Sequence, residues 1–285
     1  MSDMRPFRSV LYIPASRARA LEKARTLPVD AIIFDLEDAV TADEKTAARQ
    51  TLAAALAQGG YGARTRIVRI NGLDTPWGMD DARAVADMAP DAVLLPKVSG
   101  PQDLDALARL TGDVPLWAMM ETPLGMLNAP TIAAHPQLTG MVMGTNDLAK
   151  ELNTRFRPDR LPMMAGLGLC LLAAKAQDVV IVDGVYNAFK DEAGLKVECD
   201  QGRDMGFDGK TLIHPAQVDV TNAAFAPSDE EVDLARRQIA AFEQAEAEGQ
   251  GVAVVDGKIV ENLHVATARQ LLAKSKVIEA MQAEL

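Results

Sequence analysis

The chain has few cysteines, histidines and aromatic residues, no excess of basic charge and no long uncharged apolar run. Its two cysteines, Cys170 in LGLGLCLLAAKA and Cys199 in KVECDQG, offer neither a CxxC zinc spacing nor a disulfide framework, and so point to a reducing, cytoplasmic compartment. Three histidines with no Ser/His/Asp arrangement argue against a nucleophilic triad, and His214 reads as structural support. Acidic residues outnumber basic ones 40 to 29, for a net charge of −11. That balance repels nucleic acid and anionic membrane, and no basic stripe offsets it. No stretch of about 18 residues is apolar and free of charge. The N-terminal MSDMRPFRSV lacks the apolar segment of a signal peptide. Neither membrane spanning nor export is expected.

What the chain does have is alternation. Eight short apolar or β-branched runs occur at 9–15, 31–37, 65–71, 92–98, 115–121, 140–146, 179–185 and 207–215. Between several of them lie Ala-rich amphipathic stretches such as ARALEKARTL, DEKTAARQTLAAALAQ and PQDLDALARL, some opened by Ser, Asp or Pro as helix starts favour. A parallel sheet covered by helices requires this pattern. Eight runs in 285 residues predict an α/β fold, a (β/α)8 TIM barrel, for which about 250 residues suffice. A doubly wound open sheet stays as the alternative, because periodicity does not say whether the last strand pairs with the first.

Past the eighth run the texture changes. A long charged helix (APSDEEVDLARRQIAAFEQAEAEG) precedes VAVVDGKIVE, whose Asp256-Gly257 step between Val and Ile residues marks a two-residue hairpin turn. A second helix, HVATARQLLAKSKVIEAM, closes the chain. We therefore expect a barrel over residues 1–226 and a C-terminal helix–hairpin–helix extension over 227–285. The extension either packs on the barrel rim or reaches a neighbouring subunit.

Barrel chemistry sits at the carboxyl ends of the strands, and polar residues end these runs repeatedly: Asp35-Leu36-Glu37-Asp38, Arg69 with Asn71, Lys97, Glu121, Asn146-Asp147, Asp183 and His214. Gathered in one low-dielectric mouth, so many carboxylates repel one another unless a cation compensates them. Hard oxygen donors without a His or Cys cluster favour Mg²⁺, with Mn²⁺ as the alternative. Magnesium takes one or two protein carboxylates and fills its other positions with water and substrate oxygens. Glu121 and Asp147, ending neighbouring strands, fit that demand. Glu37 and Asp38 would then bind water around the metal or neutralise cationic side chains. Arg69 reads as a bidentate clamp for a substrate carboxylate, with the backbone amides of Asn71-Gly72 nearby. Arg17, Arg19 and Lys23, in SRARALEK, form either a solvated helix face or a phosphate grip. The same carboxylates argue against Lys97 as a Schiff-base lysine, since they keep it protonated.

In this order the segments RSVLYIPASRARALEKA, DAIIFDLEDAV, RINGLDTPWG, LLPKV, METPLG, GTNDLAKEL and GFDGKTLIHPAQV, together with the tail, resemble the citrate lyase β-subunit-like (HpcH/HpaI aldolase) family. That family includes malyl-CoA lyases, citramalyl-CoA lyases and malyl-CoA thioesterases. The resemblance implies a homotrimer, or a dimer of trimers, acting on a small CoA thioester. It also implies Mg²⁺ on Glu121 and Asp147, Arg69 on the acid, and Arg17 and Lys23 on the CoA phosphates.

The family's lyases resemble one another in a tail segment G-x-M-I-D, whose Asp reaches a neighbouring subunit's site. Here the matching stretch is Gly257-Lys258-Ile259-Val260-Glu261, followed by Asn262-Leu263-His264. One extra methylene changes what the carboxylate can deprotonate in a site built on near-attack geometry. An E-N-L-H tail resembles the family's thioesterases, which implies hydrolysis of (3S)-malyl-CoA with Glu261 as general base. The alternatives are carbon–carbon cleavage of malyl-, β-methylmalyl- or citramalyl-CoA, and a non-catalytic subunit of a citrate-lyase-like complex.

Overall fold

A computed structural model describes residues 5–283; Met1–Met4, the start of the N-terminal segment discussed above, and Glu284–Leu285 lie outside the described residues. Strand and helix alternate from the start: β1 (Ser9–Pro14), α1 (Ala18–Ala24), β2 (Ala31–Asp35), α2 (Lys45–Gln58), β3 (Thr65–Arg69), α3 (Gly78–Met88), β4 (Ala92–Leu95), α4 (Pro101–Thr111) and β5 (Leu116–Met120). Two short helices, α5 (Pro123–Leu127) and α6 (Ala129–Ala133), precede β6 (Leu138–Met143) and α7 (Thr145–Glu151). The series ends with α8 (Met164–Ala176), β7 (Val180–Asp183), α9 (Glu192–Met205), β8 (Gly209–Leu212) and α10 (Val218–Phe225).

The eight strands follow one another in parallel, and β8 pairs back onto β1 with Ser9 opposite Lys210. This pairing settles the choice between barrel and open sheet. Each expected run contains one strand, but the strands are shorter at their carboxyl ends: β8 stops at Leu212, and His214 already caps a 3₁₀ turn, Pro215–Gln217.

Burial on both faces explains why the runs read as continuous rather than alternating. Along β1, Val10 and Tyr12 join a cluster with Ile33, Ile67, Leu94, Trp117 and Val142, whereas Leu11 and Ile13 join the larger cluster that includes helix residues such as Leu21, Leu52, Val85 and Leu104. The period of two thus separates the barrel interior from the layer under the helices. Each fully buried aliphatic side chain contributes about 1.5–3 kcal/mol of burial free energy. At the amino ends of the strands, ion pairs seal the barrel. Arg8 grips Asp30 through Nε (2.9 Å) and Nη2 (2.8 Å) with both residues buried.

The described residues form two compact units: Phe7–Phe225, which is the barrel, and Ala226–Ala283 together with Arg5 and Pro6. The second unit holds α11 (Asp229–Ala247), the hairpin β9 (Ala253–Val255) and β10 (Lys258–Val260), and α12 (Asn262–Ala283). Ser228 caps α11 in a reciprocal box with Glu231. The turn forms at the expected step, with φ of 50° at Asp256 and 73° at Gly257. Two successive positive-φ residues are what a tight hairpin turn needs. Arg237 of α11 holds Asp256 at 2.8 and 2.9 Å.

Candidate active site

Asp35 and Arg69 are register partners in β2 and β3, so their side chains leave the sheet on the same face. Arg69 donates from Nε to Asp35 Oδ1 (2.8 Å) and from Nη2 to Asp35 Oδ2 (2.6 Å). The same carboxylate accepts the backbone N–H groups of Glu37 and Ala39, which folds the loop after β2 back toward the guanidinium. Arg69 Nη1 then lies 2.8 Å from Glu37 Oε2 and 3.7 Å from Asp38 Oδ2. The Glu37 contact is an ion pair without hydrogen-bond geometry, because Oε2 is buried with no hydrogen-bond partner. Lys45 Nζ pins the loop through the carbonyls of Leu36 (3.1 Å) and Glu37 (2.9 Å), and the Tyr12 ring lies 4.8 Å from the Arg69 guanidinium carbon.

This arrangement corrects one expectation. The fork of Arg69 grips Asp35 rather than an outside ligand, and Nη1, which lies beside Glu37, is the one guanidinium nitrogen that Asp35 does not hold. Asn71 is corrected in the same way: its backbone N–H and side-chain amide both donate to Asp81, and the amide also reaches Leu36 O. The two Asn71 groups therefore build the wall of the mouth. Glu37 and Asp38 both stand beside the Arg69 guanidinium, whose charge they help to neutralise.

Glu121 follows β5 directly and is 1% exposed. Its Oε1 accepts the Lys97 backbone N–H at 2.7 Å, a donor aimed by the left-handed conformation of Lys97 (φ 52°). The side chain also lies against Gly144, where a Cβ would stand 2.6 Å from Glu121 Oε2 and closer still to its Cβ. Only glycine at the end of β6 leaves room for this carboxylate. Three residues later Asp147, half-buried in the first turn of α7, meets the favourable end of the helix dipole.

Asp38, Arg69, Glu121 and Asp147 line one cavity of about 300 Å³ together with Tyr12, Met119 and Thr145. Its electrostatics are strained. Burial first, then the charge of Glu37, raises Glu121 from 4.5 to about 8 against the opposing pull of the Lys97 N–H. Burial likewise lifts Glu37 to about 7, with Arg69 opposing and Asp38 and Asp35 adding to the rise. Lys97 is raised as well: burial works against its charge, but Glu37, Asp147, Glu121 and Asp38 outweigh it.

A buried carboxylate held by one backbone amide in a glycine-walled cradle, in a cavity also lined by a second carboxylate, is a donor set suited to a hard divalent cation that keeps water and substrate oxygens. Among the described residues, no group of three or more His, Cys, Asp or Glu side chains could hold a metal by itself.

Not every strand-ending residue faces this cavity. Asp183 is fully buried in an ion cluster, 2.7 Å from Arg160 Nη1 and 3.1 Å from Lys210 Nζ, with Glu198 2.6 Å from the same lysine. Its expected place among the convergent mouth carboxylates is therefore corrected. Burial opposes its charge, but Lys210 and Arg160 hold it below the usual carboxylate value. His214 is structural, as expected: Nδ1 accepts from Ala216 N at 3.1 Å and the ring stacks on Phe189 at 4.5 Å. Arg17, Arg19 and Lys23 are exposed at and along α1, with no side-chain hydrogen bond or ion pair among the described residues. Glu261 lies in the other compact unit, exposed, at the start of α12.

Sequence reading missed Tyr12, Lys45 and Gly144 as parts of the site. A polar-tipped aromatic in an otherwise aliphatic β1 was a signal for the first, and the glycine directly before Thr145-Asn146-Asp147 for the third. Lys45 gave no local signal. No described helix is long and apolar enough to cross a membrane, and both cysteines are free and buried.

Comparison with known proteins matches this architecture. The chain is 69% identical over 278 residues, covering 98% of each protein, to the (3S)-malyl-CoA thioesterase of Cereibacter sphaeroides strain KD131. It is 36% identical to the citrate lyase subunit beta of Escherichia coli K12, over 95% of this chain and 93% of that one. The crystal structure of CitE from Mycobacterium tuberculosis in complex with magnesium, acetoacetate and coenzyme A superimposes with a TM-score of 0.81 at 29% identity, covering 97% of this chain and all of that one. Residues 163–279 match a family described as a C–C bond lyase of the TIM-barrel fold. Residues 8–215 match the HpcH/HpaI aldolase/citrate lyase family, and with relatives this similar over nearly its whole length the chain belongs to that family.

Proposed function

We propose that this protein hydrolyses (3S)-malyl-CoA to malate and free CoA in the cytoplasm, using Mg²⁺ (or Mn²⁺) held by Glu121 and Asp147. The observation that carries this reading is the buried Glu121 sharing one cavity with Asp147, in a chain 69% identical over 98% of its length to a thioesterase of that name. The cavity of about 300 Å³ suits a four-carbon acid better than a bulky acyl group. The bound cation would supply Lewis acidity and a template for the acid's oxygens.

The chain's own groups do the rest. Arg69 Nη1, the one guanidinium nitrogen not held by Asp35, donates to the acid end of the substrate. Lys97 keeps positive charge at the rim. Arg17 and Lys23 bind the CoA phosphates. Glu261 of a neighbouring subunit in a homotrimer, or a dimer of trimers, takes a proton from water as its oxygen attacks the thioester carbonyl. The carbon–sulfur bond then breaks, and that proton leaves with the sulfur as the CoA thiol.

Carbon–carbon cleavage is the second reading, favoured by the match of residues 163–279, which include Glu261, to the C–C bond lyase family. Purified protein given Mg²⁺ and malyl-CoA separates the two. We expect a thiol reagent to report free CoA while phenylhydrazine traps no glyoxylate. Stoichiometric glyoxylate with no free thiol would reverse the assignment.

A further inference from the structure

Glu261 occupies a junction held from both sides. Before it, β10 ends in Val260, which is 1% exposed and packs with Phe242, Ala245, Ala253 and Val265. After it, the carbonyl of Glu261 accepts the first helical hydrogen bonds of α12, from His264 N at 2.9 Å and Val265 N at 3.2 Å. Glu261 is thus the residue that caps α12. Its own backbone N–H donates to Nδ1 of His264 at 3.0 Å. Its carboxylate is exposed and makes no side-chain hydrogen bond or ion pair among the described residues.

This is the returning half of a capping box, in which a side chain three residues into a helix accepts the cap residue's N–H. Glutamate or glutamine normally fills that place; here histidine does. To accept, Nδ1 must be unprotonated and the ring proton must sit on Nε2. The bond fixes the peptide preceding Glu261 relative to α12, and with the helical bonds from its carbonyl it fixes the direction in which the Glu261 Cα–Cβ bond leaves the backbone. A cap residue whose own side chain is unused, held by a partner that touches only its backbone, is arranged for presentation of that side chain.

We propose that His264 is a positioning residue for the hydrolytic reaction, holding Glu261 in the orientation from which its carboxylate meets water; the inference rests on Glu261 being the general base. It also offers a reason for a longer acid at this position. The extra methylene of Glu261 gives reach but adds a rotatable bond, and a locked backbone limits where that reach can go.

The test uses the full-length protein with Mg²⁺ and malyl-CoA, well below the melting temperature of every variant. His264→Ala removes the acceptor, and we expect kcat to fall about tenfold with KM essentially unchanged, as small misplacements of a reacting group do. His264→Gln, whose Oε1 can accept the same N–H, restores most of the loss. Should His264→Ala not accumulate as folded protein, His264→Leu keeps the volume and carries the same expectation. A purely structural histidine would lower the melting temperature of the Ala variant and leave kcat untouched. Glu261→Gln is measured in parallel. Loss of turnover in Glu261→Gln with wild-type kcat in His264→Ala would overturn the positioning role and leave the general base standing. Wild-type turnover in Glu261→Gln would remove the general base itself.

Discussion

Glu121 shows how one side chain can be readable in type and unreadable in state. That a carboxylate ends β5 is evident from METPLG; that it is 1% exposed and raised to about 8 follows only from Lys97, Gly144 and Glu37 closing around it. A consequence can be measured. Between pH 4.5 and 8 the unfolded chain has lost the Glu121 proton and the folded, metal-free protein still holds it. Stability must then fall as pH rises through that window, because the native state binds more protons. Metal binding must displace that proton. We expect Mg²⁺ to raise the melting temperature more at pH 8.5 than at pH 6, and Glu121→Gln, which removes a proposed ligand, to lower Mg²⁺ affinity by more than the roughly 10–100-fold that losing a ligand's outer partner costs. Differential scanning calorimetry with and without the ion, and isothermal titration, read both; an Mg²⁺ effect equal at the two pH values would count against Glu121 as ligand. Arg69 illustrates the opposite case. Its identity suggested a clamp for the substrate, but the register that pairs it with Asp35 could not be seen before β2 and β3 were aligned.

The elements divide the work between the two ends of the strands. The carboxyl ends of the strands lead to Glu37, Lys97, Glu121 and Asp147, while amino ends carry ion pairs such as Arg8–Asp30, whose atoms meet at 2.8 and 2.9 Å. Removing one partner of a buried pair leaves an uncompensated charge. Arg8→Ala is therefore expected to cost about 3–5 kcal/mol in urea unfolding while leaving kcat of the folded fraction unchanged. A loss of kcat in fully folded Arg8→Ala would contradict this division. Strand existence was legible throughout because burial on both faces leaves continuous apolar runs. Strand ends were not, since the loops that follow, such as Gly144-Thr145, are buried as well. The short helices α5 and α6 escaped notice because five residues are too few to show a 3.6-residue period.

At the scale of the whole molecule, the proposed trimer and the proposed role of Glu261 make one prediction together. If Glu261 acts across a subunit boundary, two inactive variants can complement each other. Glu121→Gln and Glu261→Gln, unfolded together and reassembled in equal amounts, should regain about a quarter of wild-type activity in a cyclic assembly. Activity staying at the level of the separate variants would mean that both residues come from one chain, and size-exclusion chromatography with light scattering gives the assembly independently. The tail's leaning toward the thioesterases agrees with the name of the relative at 69% identity, so a single Glu in place of Asp carried usable information. From the linear chain alone follow the eightfold alternation, the Asp256-Gly257 turn, the absence of disulfides and the residue types at the strand ends, since each depends on periodicity or local backbone preference. Closure of the barrel, the capture of Arg69 by Asp35, the withdrawal of Asp183 into its ion cluster and the raised pKa values of Glu37 and Glu121 were decided only by the folded arrangement. Each depends on residues far apart in the chain whose distances and desolvation exist only once the strands have closed.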